Sequence, residues 1–284
     1  MPGSIVWLAS YPKSGNTWLR AMLTHLLAEP GEDFSVNALA GTPEGGDRHA
    51  LDDACAISSA EMKPAELLPY RALLHRQMAD EKAAPFFVKT HDQYACGADG
   101  TALFPADASR AAIYLVRNPL DVVLSFAHHS QHPVDTMIAR MADPGTMLNL
   151  WPDRISDFLP VHLGHWSDHV AGWTQQRAIP LCLLRYEDMI ADPAAALARV
   201  AATAGIAASP GQIAAAVAAS SFERLREHEA AEGFSEKPPN MPNFFRAGRA
   251  GDWRAALTGD QVARITADHR DRMAALDYLP ASMT

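Results

Sequence analysis

The stretch Ser10-Tyr-Pro-Lys-Ser-Gly-Asn-Thr-Trp18 decides how the rest of the chain is read. Before it lies an apolar run of strand length, Ile5 to Ala9. After it, Trp18, Leu19, Met22, Leu23, Leu26 and Leu27 recur on one face of a helix predicted over about residues 17–28. A lysine, a glycine and several small polar side chains at a strand-to-helix turn bring backbone N–H groups and the positive end of a helix dipole to one point, so an anion is expected there. The common nucleotide-binding loop, G-x-x-x-x-G-K-[ST], carries its lysine after its last glycine. Here Lys13 comes two residues before Gly15, and Thr17 does not follow a lysine. A turn merely capped by Ser14 or Asn16 would explain neither Lys13 nor so many small polar residues together.

A chain of 284 residues, 48% hydrophobic and 20% charged, is large enough for one substantial α/β domain, and residues 1–284 read as a single one. The net charge of −9 argues against a broad nucleic-acid or anionic-membrane surface, so any polyanion must be met locally. No apolar run reaches the roughly 18 residues of a spanning helix, and the N-terminus has no basic region followed by an apolar stretch; a cytoplasmic protein without a membrane span is expected. Cys55, Cys96 and Cys182 are widely separated and odd in number, which suits a reduced compartment and fits no zinc-finger spacing.

After the first helix a Gly/Pro/Asp-rich loop is expected to about residue 57, then a helix from near Ser58, with Glu61 completing a capping box. Apolar strands follow at 86–88, 112–116 and 181–184. The alanine-rich stretch Ala194 to Ala219 reads as two helices: Asp192-Pro193 starts the first, Gly205 ends it, and Ser209-Pro210 with Gln212 gives the second a capping box. Alternating β and α elements with buried apolar strands imply an α/β fold, a central parallel sheet flanked by helices, with ligands at the carboxyl ends of the strands.

Two further constellations fall at such ends. Phe86-Phe-Val88 runs into Lys89, Thr90 and His91. A histidine there can take the proton of an acceptor hydroxyl, and a neighbouring lysine can stabilise charge on the transferred group. Ala112 to Val116 runs into Arg117-Asn118-Pro119, with Asn118 as N-cap and Pro119 in the first helical position. Arg117 is then poised to hold a phosphate bidentately, with the Ser125 hydroxyl two turns on; its alternative use is an ion pair with Asp121. His128 and His132, spaced i, i+4, have no evident third ligand, and a solvated or pocket role outweighs metal binding.

Taken together, these motifs resemble the soluble PAPS-dependent sulfotransferases, in family order from residue 5 to about residue 257. YPKSGNTW is similar to the loop that binds the 5′-phosphosulfate of 3′-phosphoadenosine-5′-phosphosulfate (PAPS), which implies donor contacts from Lys13, Ser14, Gly15, Asn16, Thr17 and Trp18. KTH resembles the catalytic-base segment, implying His91 as base, and LVRNPLDVVLSF resembles the segment that holds the 3′-phosphate, through Arg117 and Ser125. LRYEDM implies that Tyr186 approaches the nucleotide. Ser220-Ser-Phe222 resembles an adenine-contacting stretch, with Trp18 on the other side of the ring, and Gly164 to Trp173 also looks like a family segment. Phe245-Arg-Ala-Gly-Arg-Ala-Gly-Asp-Trp253 resembles the RKGxxGDW signature, implying 3′-phosphate contacts from Arg246, Ala247 and Gly248.

The chain departs from that pattern in three places. Ala247 stands where the signature has a second basic residue, with Arg246 and Arg249 as candidates to compensate. Asn16 replaces the more usual threonine. Arg254 to Ala263 meets the family's short dimerisation motif poorly, so a monomer or weak homodimer is expected.

The resemblance implies a P-loop-like nucleotide-binding fold and transfer of a sulfuryl group from PAPS, as co-substrate, to a hydroxyl or amine of a small-molecule acceptor. His91, Lys13 and Lys89 would be catalytic, and no metal is required. The alternatives are an ATP-dependent small-molecule kinase, for which Glu187-Asp188 would have to supply the magnesium-binding acid, and a nucleotide-binding module without turnover. Irregular stretches at about 131–163 and 228–244 are expected to form acceptor-side loops. Phenols, sugars, lipid alcohols and peptide natural products all remain open as acceptors.

Overall fold

The computed structural model describes residues 3–29, 33–41, 46–82, 84–97, 100–151, 153–238, 241–245 and 248–281. Among them the strands are β1 (Ile5–Ser10), β2 (Phe86–Thr90), β3 (Ser109–Val116), β4 (Met147–Leu148), β5 (Val161–His162) and β6 (Leu181–Arg185). Four pair in parallel in the order β2-β1-β3-β6, while β4 and β5 form a small antiparallel pair.

Strand alternation divides the core. Ile5, Trp7 and Ala9 of β1, with Ala112, Tyr114 and Val116 of β3, face a cluster that also takes apolar residues from the helices Pro64–Asp80, Pro119–Ser130, Trp166–Gln175 and Gly259–Ala275. Val6 and Leu8, with Ile113 and Leu115, face the helices Asn16–Leu27, Pro193–Ala204 and Pro210–Ala219. Every residue of β1 is buried, as expected for a strand covered on both sides. Such a sheet leaves its carboxyl edge as the place where side chains from several strands can meet.

Local chemistry fixes the helix ends. Asp192 and Ser209 cap their helices through Ala195 N–H and Gln212 N–H, and Gly205 takes the left-handed conformation after Ala204. The expected start near Ser58 is not the one adopted. A short helix, Arg48–Cys55, lies inside the predicted loop, capped by Asp47, and the next begins at Pro64 with Glu66 accepting from Lys63 N–H at 2.7 Å. The difference falls at Pro64: its ring disfavours the helical conformation at Lys63 and suits the first helical position, which favours a helix starting there over one carried through from Ser58. The stretch 131–163 is also more ordered than expected, holding the helix Val134–Met141 and the β4–β5 pair, and residues 228–232 finish the helix Phe222–Glu232. Met137, Ile138 and Met141 are buried, but one helix of eight residues gives too few turns for its period to stand out.

One ion pair ties the helical layer to the end of β2. Arg71 reaches Asp92 through two nitrogens, at 2.6 and 3.2 Å, and Asp92 also accepts from His162 N–H of β5 at 3.1 Å. Their side chains are only 8% and 3% exposed, so neither charge can be rescued by water if the other is removed. Arg71→Met should therefore lower unfolding free energy by about 3–5 kcal/mol in urea titration; a loss below about 1 kcal/mol would contradict this view of the pair.

Candidate active site

The phosphate loop is shaped by two left-handed residues, Lys13 at φ 69° and Gly15 at φ 98°. Gly15 is required by space as well as by conformation, since a Cβ there would lie 2.5 Å from Cδ2 of Tyr186. Gly15 also precedes the first turn of Asn16–Leu27, and no side chain caps that helix, neither Ser14 nor Asn16. The free N–H groups of its first turn are therefore left for another acceptor. Asn16 instead ties the loop to β1, donating from Nδ2 to Leu8 O at 3.0 Å and Ser10 Oγ at 3.2 Å. Ser14 Oγ is buried without a partner, as is Arg117 Nε, and both are donors suited to anionic oxygen.

Around this loop the cations gather. Lys13 Nζ donates to His129 Nδ1 at 3.4 Å and lies 4.2 Å from the centre of the Phe244 ring. Burial, then the charges of Lys89 and Arg117, lower its pKa to about 7. Lys89, at the end of β2, makes a 2.7 Å ion pair with Glu236, which also receives Arg20 at 2.6 Å. Burial raises the proton affinity of Glu236, but Lys89 and Arg20 outweigh it and hold the carboxyl at about 2. Arg117 lies over the Tyr186 ring at 4.3 Å and donates to Lys13 O at 3.2 Å and Arg249 O at 3.0 Å, so it joins the loop to the segment after Gly248. It does not pair with Asp121, whose oxygens accept from Gly251 and Trp253 N–H at 2.7 and 3.1 Å.

His91 follows β2 directly. Its Nδ1 donates to the backbone oxygen of Ser10 at 2.7 Å, a bond that puts the proton on Nδ1 and leaves Nε2 as the basic atom. Burial and then the Lys89 charge lower its pKa to about 3, so the ring is neutral across the physiological range. His91 O in turn accepts from His169 Nε2 at 3.1 Å, and His169 Nδ1 accepts from Tyr114 O–H at 2.8 Å. Both edges of the segment are thus held by the core, which keeps the imidazole where the sheet delivers it.

One cavity of about 1080 Å³ joins these groups. Of the residues named from sequence, Lys13, Gly15, Asn16, Thr17, Trp18, Lys89, His91, Arg117, Ser125, Tyr186, Phe222 and Gly248 line it. Ser14 and Ser220 do not; Ser220 Oγ turns back to Ala216 O at 2.8 Å, and its contribution is a backbone oxygen that accepts from Trp18 Nε1 at 3.0 Å. Arg246 and Ala247 lie outside the described residues. Arg249 is paired with Asp252 at 2.6 Å. Gly248 at φ 61° lets Phe222 approach, because a Cβ would meet the ring at 2.6 Å.

Sequence reasoning missed Arg20, Glu236, His129 and Phe244. His129 was within reach of it: it follows Ser125 by one helical turn, on the face that lines the cavity. The same cavity is also lined by the apolar side chains of Phe104, Phe126, Met147, Trp151, Phe158 and Val161. Glu187, the acid a kinase would need at this strand end, accepts from Asn118 N–H at 3.0 Å and Tyr278 O–H at 2.7 Å and does not line the cavity.

Comparison with known proteins agrees with this geometry. The model of the sulfotransferase domain matches residues 4–277. Human sulfotransferase 2B1 is 26% identical over 97% of this chain and 67% of its own length, and mouse sulfotransferase 1B1 is 26% identical over 96% and 83%. Among solved structures, mouse sulfotransferase SULT7A1 complexed with PAP superposes with a TM-score of 0.61 at 18% identity, covering 95% of this chain and 85% of that one. Retinol dehydratase in complex with androsterone and inactive cofactor PAP gives 0.64 at 20% identity, covering 99% and 83%. The chain belongs to the sulfotransferase family, enzymes that move a sulfuryl group from PAPS to an acceptor.

The lowered pKa of Lys13 has a measurable consequence. An anion binds the charged form, which in the free chain dominates below about pH 7 and fades above it. Binding of 3′,5′-ADP should therefore take up close to one proton per site at pH 8.5, read by calorimetry in buffers of different ionisation enthalpy, and Lys13→Met should abolish that uptake. Equal uptake in both proteins would place the titrating group elsewhere.

Proposed function

We propose that the donor half of the cavity holds PAPS between the phosphate loop and Arg117, with the acceptor hydroxyl or amine against His91. The observation that supports this best is the convergence of Lys13 from the loop after β1 with Lys89 and a neutral His91 from the end of β2 on one cavity. In this reading Lys13 stabilises the bridging oxygen as the sulfur–oxygen bond to the phosphate breaks, and Lys89 the equatorial oxygens of the moving sulfuryl group. The acceptor oxygen forms the new bond to sulfur while His91 Nε2 takes its proton, leaving a sulfate ester and 3′,5′-ADP. Little covalent work falls to the protein, so fixed charge and positioning dominate.

Arg117 and Ser125, with Arg246 and Gly248 in the family signature, are assigned to the 3′-phosphate. Trp18, Tyr186 and Phe222 are assigned to the base. Arg117 Nε, a buried donor without a partner on a residue that lines the cavity, fits a phosphate group. The acceptor is a small molecule with an apolar body, as retinol and androsterone are in the complexes of retinol dehydratase. A cytoplasmic setting, a single catalytic domain with acceptor-side loops at 131–163 and 228–244, and a monomer or weak homodimer complete the proposal. Among the described residues no helix is long and apolar enough to cross a membrane.

A screen with ³⁵S-labelled PAPS against phenols, sterols, sugars and peptides should yield a labelled ester with at least one class. With that acceptor, His91→Ala should lower turnover by about 10²–10⁴-fold while 3′,5′-ADP affinity stays within about twofold of the parent. Loss of nucleotide binding instead would move His91 into the donor site.

A further inference from the structure

Glu236 is the acidic group that faces the cations of this cavity from outside the family motifs. Its carboxylate bridges Lys89 at 2.7 Å and Arg20 at 2.6 Å. The two partners differ in kind. Arg20 is a fixed anchor: its side chain is 5% exposed, and Nε is already committed to Ala40 O at 2.7 Å. Lys89 is more open, 21% exposed, and lines the cavity together with His91.

The segment that carries Glu236 is itself held on both sides. Ser235 N–H donates to Asn37 Oδ1 at 2.7 Å, and Glu229 accepts from Phe244 and Phe245 N–H at 2.7 and 3.0 Å and from Lys237 Nζ at 3.4 Å. The carboxylate is therefore delivered to the two cations by a pinned backbone. Phe244 of the same segment covers Lys13, so the segment reaches both lysines assigned to the transfer.

We infer that Glu236 is a positioning residue for sulfuryl transfer: in the free enzyme its carboxylate stands in for the transferred group at Lys89, and the donor's sulfuryl oxygens displace it from Lys89 while Arg20 retains it. This rests on the assignment of the cavity to PAPS. Two things follow. Lys89 is held extended toward the reaction centre before the donor arrives, which limits the ordering required on binding. The donor must also compete with an internal anion that 3′,5′-ADP, having no sulfuryl group, does not meet. Glu236 then lowers affinity for PAPS selectively and leaves the product's much less affected, through the fraction of molecules whose Lys89 is free.

The test is the ratio of the two dissociation constants, measured by calorimetry without acceptor, for the parent and Glu236→Gln. Removing one negative charge should tighten both polyanions somewhat, but PAPS by roughly 3–10-fold more than 3′,5′-ADP. Glu236→Asp, one methylene shorter, should move the ratio the same way by less, and decides the matter if the glutamine variant does not fold. A ratio within about twofold of the parent in both variants, or affinities that fall together as for a purely structural residue, would overturn the inference. A parent chain that binds neither nucleotide would overturn the PAPS assignment and this inference with it. Binding with an unchanged ratio overturns this inference alone.

Discussion

The site depends on confining several positive charges in a cavity walled by apolar side chains. Lys13, Lys89, Arg117 and Arg20 all line it, and burial, followed by repulsion from neighbouring cations, lowers the proton affinity of both lysines. Such a cluster is stable only while each charge has an acceptor. In the free chain these are internal: Glu236 for Arg20 and Lys89, His129 for Lys13, backbone oxygens for Arg117. A polyanionic donor can replace them, and the energy of confinement is then available to bind it.

The frame explains why the cluster does not relax. Lys13 and Lys89 leave adjacent parallel strands, β1 and β2, and Arg117 leaves β3 on the other side of β1, so three neighbouring carboxyl ends set the spacing. Asn16 fastens the phosphate loop to Leu8 O, Ser10 O fixes the tautomer of His91, and Glu187 holds the turn that starts the helix after Arg117. A buried network of this sort keeps fixed dipoles aimed before substrate arrives, which is what a reaction with little covalent chemistry requires.

Much of this was legible in the sequence because its signals are local. A strand-length apolar run before Tyr11-Pro12-Lys13, a Lys89-Thr90-His91 end, and Asn118-Pro119 as cap and first residue of a helix each announce a strand end carrying polar groups. All line up along one parallel edge. What was not legible depends on distance in the chain or on competing local preferences. Glu236 meets Lys89 across 147 positions and Arg20 across 216, and no spacing rule joins them. His129 carries a usable signal, one turn after Ser125, but it stands beside His128, whose i, i+4 spacing to His132 is the stronger local pattern. Ser14 and Ser220 do not line the cavity, and Ser220 Oγ turns back to Ala216 O, a matter of orientation that a motif does not encode. The helix expected near Ser58 yielded to Pro64, and the helix Arg48–Cys55 is too short to announce itself.

The central claim, that this cavity is built for a nucleotide carrying phosphates at both the 3′ and 5′ positions and not for a triphosphate with magnesium, is tested most directly by thermal unfolding with each ligand. At a hundredfold excess over its dissociation constant, 3′,5′-ADP should stabilise the chain by about 2.7 kcal/mol, visible as a rise of several degrees in Tm, while ATP with magnesium at the same concentration should leave Tm within about a degree. The reverse order, or equal shifts with both, would contradict the account.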